Sequence, residues 1–168
     1  NPSMRDYIIS RGEYLNALIM AELTGMEFVD AQGNIILDEN GQYNEEKTRA
    51  VLRGKLEKLS GAVIPGFYGT MPDGSIRTFS RGGSDITGAI VSAVTNADVY
   101  ENWTDVSGML VADPRIIENP KPIDVVTYRE PRELSYMGAS VLHEDAIFPV
   151  RKEGIPINIR NTNKPEDK

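Results

Sequence analysis

The sequence predicts an α/β fold with a largely parallel sheet, because short strand-like runs alternate with helical patterns along the chain and unusual glycine-rich or charged loops follow the strands. With 168 residues and 40% hydrophobic content, the chain can bury one sizeable core and fits a single domain or a large part of one.

Taken in order, Tyr7-Ile8-Ile9 reads as a short strand that breaks at Ser10-Arg11-Gly12-Glu13 into a helix through about Leu23. Glu27-Phe28-Val29-Asp30 and Ile35-Ile36-Leu37 read as two short strands around a tight turn at Gln32-Gly33-Asn34. Asn44 is placed to cap a helix in which Thr48, Val51, Leu52, Leu56 and Leu59 recur at helical spacing until Gly61. Ala62 to Tyr68 then reads as a buried strand opening into a loop, and Pro72-Asp73-Gly74-Ser75 as a hairpin turn into Ile76-Arg77-Thr78-Phe79. The strongest helical pattern follows Arg81-Gly82-Gly83, with Ile86, Ala89, Ile90, Ala93, Val94 and Ala97 along one face. Asp98 to Trp103 is a strand, and Thr104 to Pro122 a long loop or excursion beyond it. Helices over about Arg132 to Met137 and Ala139 to Lys152 precede a final strand, Ile155-Pro156-Ile157-Asn158-Ile159.

Composition excludes several functions. The net charge is −7 and the 18 Lys and Arg form no block, so a polynucleotide is a poor partner. No cysteine is present, which removes disulfides, thiolate zinc sites and a cysteine nucleophile. No apolar run approaches the roughly 20 residues of a membrane helix, and the polar start Asn1-Pro2-Ser3-Met4-Arg5-Asp6 is no signal peptide. A soluble cytoplasmic protein is the expectation. The start without methionine and the uncapped end at Lys164-Pro165-Glu166-Asp167-Lys168 read as boundaries inside a longer protein.

Ligands of open α/β sheets gather beyond the carboxyl ends of strands. In Ser80-Arg81-Gly82-Gly83-Ser84-Asp85, two glycines let the backbone approach a ligand and Ser84 can cap the long helix. Arg81 offers a planar fork for a carboxylate, and Asp85 can orient a cation, a lysine or a metal. On spacing alone, a plain capped helix start with a surface arginine reads equally well. Thr104 and Asp105, with Arg115 in Ala112-Asp113-Pro114-Arg115, can hold a ribose, an adenine edge or phosphates, although an Asx turn with a surface arginine is the commoner arrangement. Asn161-Thr162-Asn163-Lys164 supplies one lysine for a phosphate or for solvent. Glu13 can receive an ammonium group or simply complement a helix dipole. The lone His143 reads as structural, since no Ser or Cys nucleophile accompanies it.

Four blocks resemble the aspartate kinases, and they occur in family order: Thr78-Phe79-Ser80-Arg81-Gly82-Gly83-Ser84-Asp85-Ile86-Thr87-Gly88-Ala89, then Glu101-Asn102-Trp103-Thr104-Asp105-Val106-Ser107-Gly108, then Ala112-Asp113-Pro114-Arg115, then Ser135-Tyr136-Met137-Gly138-Ala139-Ser140-Val141-Leu142-His143. The resemblance runs from about Ser10 to Lys164 and implies the amino-acid kinase fold, a three-layer α/β/α sandwich around a mostly parallel sheet. It implies phosphoryl transfer from ATP, carried with Mg2+, to the side-chain carboxylate of L-aspartate, giving 4-phospho-L-aspartate for lysine, threonine and methionine synthesis. Residue by residue, Arg81 looks like the arginine that grips the substrate carboxylate, with Gly83 and Ser84 lining the same site, and Glu13 like the glutamate that receives the ammonium group. Asp85 matches the aspartate that orients catalytic lysines. Thr104, Asp105 and Arg115 match ATP-contacting positions, and Lys164, beside Pro165, looks like a lysine that stabilises the phosphates. Leu110 departs from relatives that have tyrosine there.

The resemblance further implies an amino-acid-substrate lobe over about residues 1–75, an ATP lobe over about 76–168, no dedicated protein metal site and a homo-oligomer, a dimer. Family members begin with a Lys-Phe-Gly-Gly-type loop and usually end with regulatory ACT domains. Neither occurs here, so the chain is expected to be an incomplete catalytic domain, inactive alone. A kinase for glutamate or N-acetylglutamate on the same fold, or a non-catalytic nucleotide-binding or dimerisation module, are the alternatives.

Overall fold

The structure is a computed structural model that describes residues 2–80, 82–105, 109–110, 116–117, 122–123 and 144–166. Helix α1 spans Pro2–Thr24, followed by β1 (Glu27–Phe28), α2 (Glu45–Leu56), β2 (Ala62–Val63), β3 (Tyr68–Thr70) and β4 (Ile76–Thr78). Then come α3 (Gly83–Thr95), β5 (Tyr100–Thr104), β6 (Met109–Leu110), β7 (Pro122–Ile123), α4 (Glu144–Glu153) and β8 (Ile157–Asn161). Strands β1 and β2 pair in parallel, as do β5 and β8, whereas β3–β4 and β6–β7 are antiparallel. The class is α/β, as the alternation of patterns predicts.

Helix α3 is the centre of the packing. Its Ile90 and Val94 join Val29, Ile35, Leu52, Tyr68 and Ile76 in one core. Its Ala89 joins Tyr100, Ile147, Val150 and Ile155 in a second. Small residues on that second side, Gly88, Ala89, Ser92 and Ala93, let α4 and β5 lie close against the helix. Asn96, in the left-handed region with φ 50°, ends α3.

Four expectations are corrected. Tyr7-Ile8-Ile9 is not a strand, because α1 runs unbroken through it and through Gly12, and the Ser10 hydroxyl donates to the Tyr7 carbonyl within the helix. A three-residue apolar run carries no periodicity of its own, so its neighbours decided its form. The two short segments around the turn at residues 27–37 do not pair with each other: the Ile35 amide donates to the Ala31 carbonyl, a helical turn, and Glu27–Phe28 pairs with β2 and Ile36 with Thr70. Ala62 to Tyr68 is not one strand: β2 ends at Val63, and β3 begins at Tyr68 after Phe67, whose φ of 60° no strand accommodates. Finally, Ser84 does not cap α3: Gly82 holds the cap position and no side chain caps the helix. The Asn44 cap of α2 and the β3–β4 hairpin stand as read, with the Lys47 amide donating to Asn44 Oδ1 at 3.0 Å. The helix read over about Arg132 to Met137 lies outside the described residues.

Candidate active site

The start of α3 is held by backbone contact. Gly82, at φ 55°, occupies the cap position, and no side chain caps the helix. Gly83 follows directly under Phe67: a Cβ on Gly83 would stand 2.4 Å from Phe67 Cβ and 2.9 Å from its Cα. Phe67 is itself pinned, its amide donating to Thr87 Oγ1 at 3.0 Å and its carbonyl accepting from the Phe79 amide at 2.8 Å. The Thr87 hydroxyl in turn donates to the Gly83 carbonyl. With Gly82 turned left-handed, Ser84 sits inside the first turn, where its hydroxyl faces Gly66 rather than the helix end.

This arrangement opens a cleft of about 380 Å3 lined by Glu13 of α1, Ala62 of β2, Ile64 and Gly66 just after it, Ser84, Thr87 and Gly88 of α3, and Tyr100 of β5. Glu13 thus comes from the middle of a helix, not from the strand-to-helix loop expected, and reaches the same cleft as Ser84. Tyr100 crosses α3 at Gly88, where a Cβ would fall 2.6 Å from the phenol oxygen. Burial raises the Tyr100 phenol above its ordinary pKa; the Asn102 hydrogen bond lowers it by less, and the Asp85 charge raises it further. At neutral pH the group is therefore an uncharged hydroxyl that donates to the Asp85 carbonyl.

Asp85 stands between this cleft and a second shelf. Its Oδ1 accepts from Asn102 Nδ2 at 2.8 Å, and Asn102 lies two residues before Thr104 at the carboxyl end of β5. There the parallel register sets Thr104 beside Asn161 of β8. The Thr162 amide and hydroxyl both donate to the Thr104 carbonyl, at 2.8 and 3.0 Å, which carries the turn with Lys164 alongside Thr104 and Asp105. The Thr104 hydroxyl donates to Asp105 Oδ1. Arg160 braces the turn from beneath: its guanidinium lies 4.7 Å above the Trp103 ring, pairs with Glu101 and donates to the Pro165 carbonyl.

The structure thus unites Glu13, Gly83, Ser84 and Asp85 around the start of α3, and Thr104, Asp105, Lys164 and Pro165 at the ends of two neighbouring strands. Arg81, Arg115 and His143 lie outside the described residues. Sequence reasoning missed Gly66, Phe67, Thr87, Tyr100 and Asn102. The readable signal for the last two was Tyr100-Glu101-Asn102-Trp103-Thr104 itself, whose alternation places Asn102 on the buried side of β5.

The amino acid kinase family model matches residues 2–161. Among curated proteins, aspartokinase 3 of Bacillus subtilis is 42% identical over 170 residues, covering 95% of this chain and 37% of the relative. The solved aspartate kinase of Clostridium acetobutylicum superposes with a TM-score of 0.92 at 60% identity, over 96% of this chain and 37% of that one. E. coli aspartokinase III, solved with aspartate and ADP, superposes at 0.87 with 25% identity, over 98% of this chain and 39% of its own. The chain therefore spans well under half the length of these relatives. Because the match runs through α1, the α3 start and the β5–β8 pair alike, the elements that build the cleft and the shelf are family elements, and the chain belongs to the amino acid kinase family.

Proposed function

We propose that the protein containing this chain transfers the γ-phosphoryl group of Mg-ATP to the side-chain carboxylate of L-aspartate, giving 4-phospho-L-aspartate and ADP. The observation that carries this reading is the position of Asp85, whose neighbour Ser84 lines the Glu13 cleft and whose carboxylate is bonded to the strand that ends in Thr104. Aspartate sits in the cleft, its ammonium group on Glu13 and its side-chain carboxylate on Arg81, near the Gly83 and Ser84 backbone. The nucleotide lies over Thr104, Asp105 and Pro165, with Arg115 and Lys164 on its phosphates and Mg2+ travelling as part of the substrate. A carboxylate oxygen of aspartate attacks the γ-phosphorus in line, the bond to the β,γ-bridging oxygen breaks, and ADP leaves with that oxygen's negative charge. No covalent protein intermediate is needed; the site contributes alignment and positive charge, with Asp85 orienting the lysines that supply part of it. The product feeds lysine, threonine and methionine synthesis.

Support for aspartate comes from the similarity to aspartokinases over 95% of the chain. In the intact protein, trapping acyl phosphate with hydroxylamine should give a stronger signal with aspartate than with glutamate or N-acetylglutamate. Arg81→Ala should chiefly raise the aspartate KM and Lys164→Ala the ATP KM. A stronger glutamate signal overturns the substrate, and ordinary kinetics in both variants overturn the site.

A further inference from the structure

The inner face of a strand packed on a helix ordinarily carries apolar residues, since a polar side chain there loses its water. β5 departs from this at Asn102, which is 9% exposed and faces α3 together with Tyr100. Both hydrogens of its amide nitrogen are used: one reaches Asp85 Oδ1 at 2.8 Å, the other the Tyr100 hydroxyl oxygen at 3.1 Å. That hydroxyl then donates to the Asp85 backbone carbonyl at 3.3 Å. Gly88 makes room for the arrangement, since any Cβ there would meet the Tyr100 ring. An aspartate in the first turn of a helix ordinarily turns back toward the free amides of that turn. Asp85 instead turns its carboxylate to β5, and among the described residues only Asn102 holds it there.

We infer that Asn102, steadied by Tyr100, is a positioning residue that fixes the Asp85 carboxylate between the amino-acid cleft and the nucleotide shelf. The inference rests on the phosphoryl-transfer reading above and adds a residue to it. Asn102 touches neither substrate; it acts by donating to one oxygen of Asp85, which leaves the other for a cationic partner during transfer. The contact is charge-assisted and sheltered, so it sets both where the carboxylate points and how far it swings.

The test uses the intact enzyme with Asn102→Leu, which keeps the branched side-chain skeleton without its hydrogen-bonding atoms, Asn102→Asp, which keeps the shape and reverses the interaction, and Asp85→Asn. Losing one hydrogen bond to a charged group should lower the Asn102→Leu kcat about tenfold to a hundredfold, with both KM values within about twofold of wild type. In the Asp85→Asn background the same change should lower kcat no further, because the carboxylate that Asn102 positions is already gone. Asn102→Asp should be worse than Leu at pH 8 and recover relative to wild type as pH falls, since two facing carboxylates retain a shared proton. Circular dichroism and thermal unfolding of each variant identify loss of fold, and the Asp variant's recovery with pH is a readout that a packing defect does not produce. Asn102→Leu with near-normal kcat beside a crippled Asp85→Asn overturns the inference, as does a loss that adds fully to that of Asp85→Asn. A fully active Asp85→Asn enzyme overturns the phosphoryl-transfer reading beneath it.

Discussion

Gly83→Ala tests the site's geometry at its tightest point. The new Cβ would lie 2.4 Å from Phe67 Cβ, short by 1.0 Å of the 3.4 Å at which ordinary contact begins. Phe67 cannot retreat cheaply, because its φ is already 60° and hydrogen bonds to Thr87 and Phe79 hold both its amide and its carbonyl. The displacement therefore falls on the first turn of α3, which carries Ser84 and Asp85. Overpacking of this kind destabilises by about 1–3 kcal/mol. For a chain of this size that lowers Tm by about 2–4 °C per kcal/mol. A shift of about 1 Å in a positioning group lowers the rate by about a hundredfold. Gly54→Ala is the control: Gly54 lies in α2 with nothing within 4 Å of its added Cβ, so alanine should stabilise by about 0.5–1 kcal/mol through helix propensity. Thermal unfolding and hydroxamate kinetics of both variants are compared with wild type. A Gly83→Ala protein with unchanged Tm and kcat/KM within twofold of wild type refutes the argument that the α3 start is fixed by backbone contact with Phe67.

Tyr68→Phe removes the 2.6 Å bond from a buried phenol to Asp30 and should destabilise by about 1–2 kcal/mol, whereas Tyr43→Phe should be close to neutral, because the Tyr43 hydroxyl is buried without a hydrogen-bond partner among the described residues; urea midpoints compare the two. Burial, with Glu45 next in effect, pushes the Tyr43 phenol up to about 12, and burial with the Asp30 bond raises that of Tyr68 as well. The folded state thus keeps protons that the unfolded chain releases near pH 10, so this stabilisation is complete below about pH 10 and is lost as pH rises through about 12, which denaturant melts across that window will follow. Arg160→Met should loosen the turn carrying Lys164, raise the ATP KM several-fold and shift the emission of Trp103, the single tryptophan of the chain, whose ring the guanidinium covers; unchanged emission and an unchanged KM would separate Arg160 from the turn.

Where the signal was local, the sequence by itself determined the outcome. Asn44 caps α2 because its side chain needs only the amide three residues on, and Asp73-Gly74 turns the β3–β4 hairpin because Gly74 accepts φ 83°. The apolar stripe of α3 and the order of the family blocks likewise marked the glycine loop, Asp85 and Thr104-Asp105 before any contact was visible. The tertiary structure alone decided what depends on residues distant in the chain. Whether Tyr7-Ile8-Ile9 is helix or strand is undetermined by three apolar side chains; all three stay exposed, and the helix that carries them meets β1, β2 and β4. That Glu13 meets Ser84 across 71 positions, that Phe67 rather than a serine hydroxyl secures the α3 start, and that Asn102 turns Asp85 away from its own helix are consequences of close backbone approach at Gly66, Gly83 and Gly88. A glycine announces in the sequence that space is needed; only the fold says which side chain or backbone fills it.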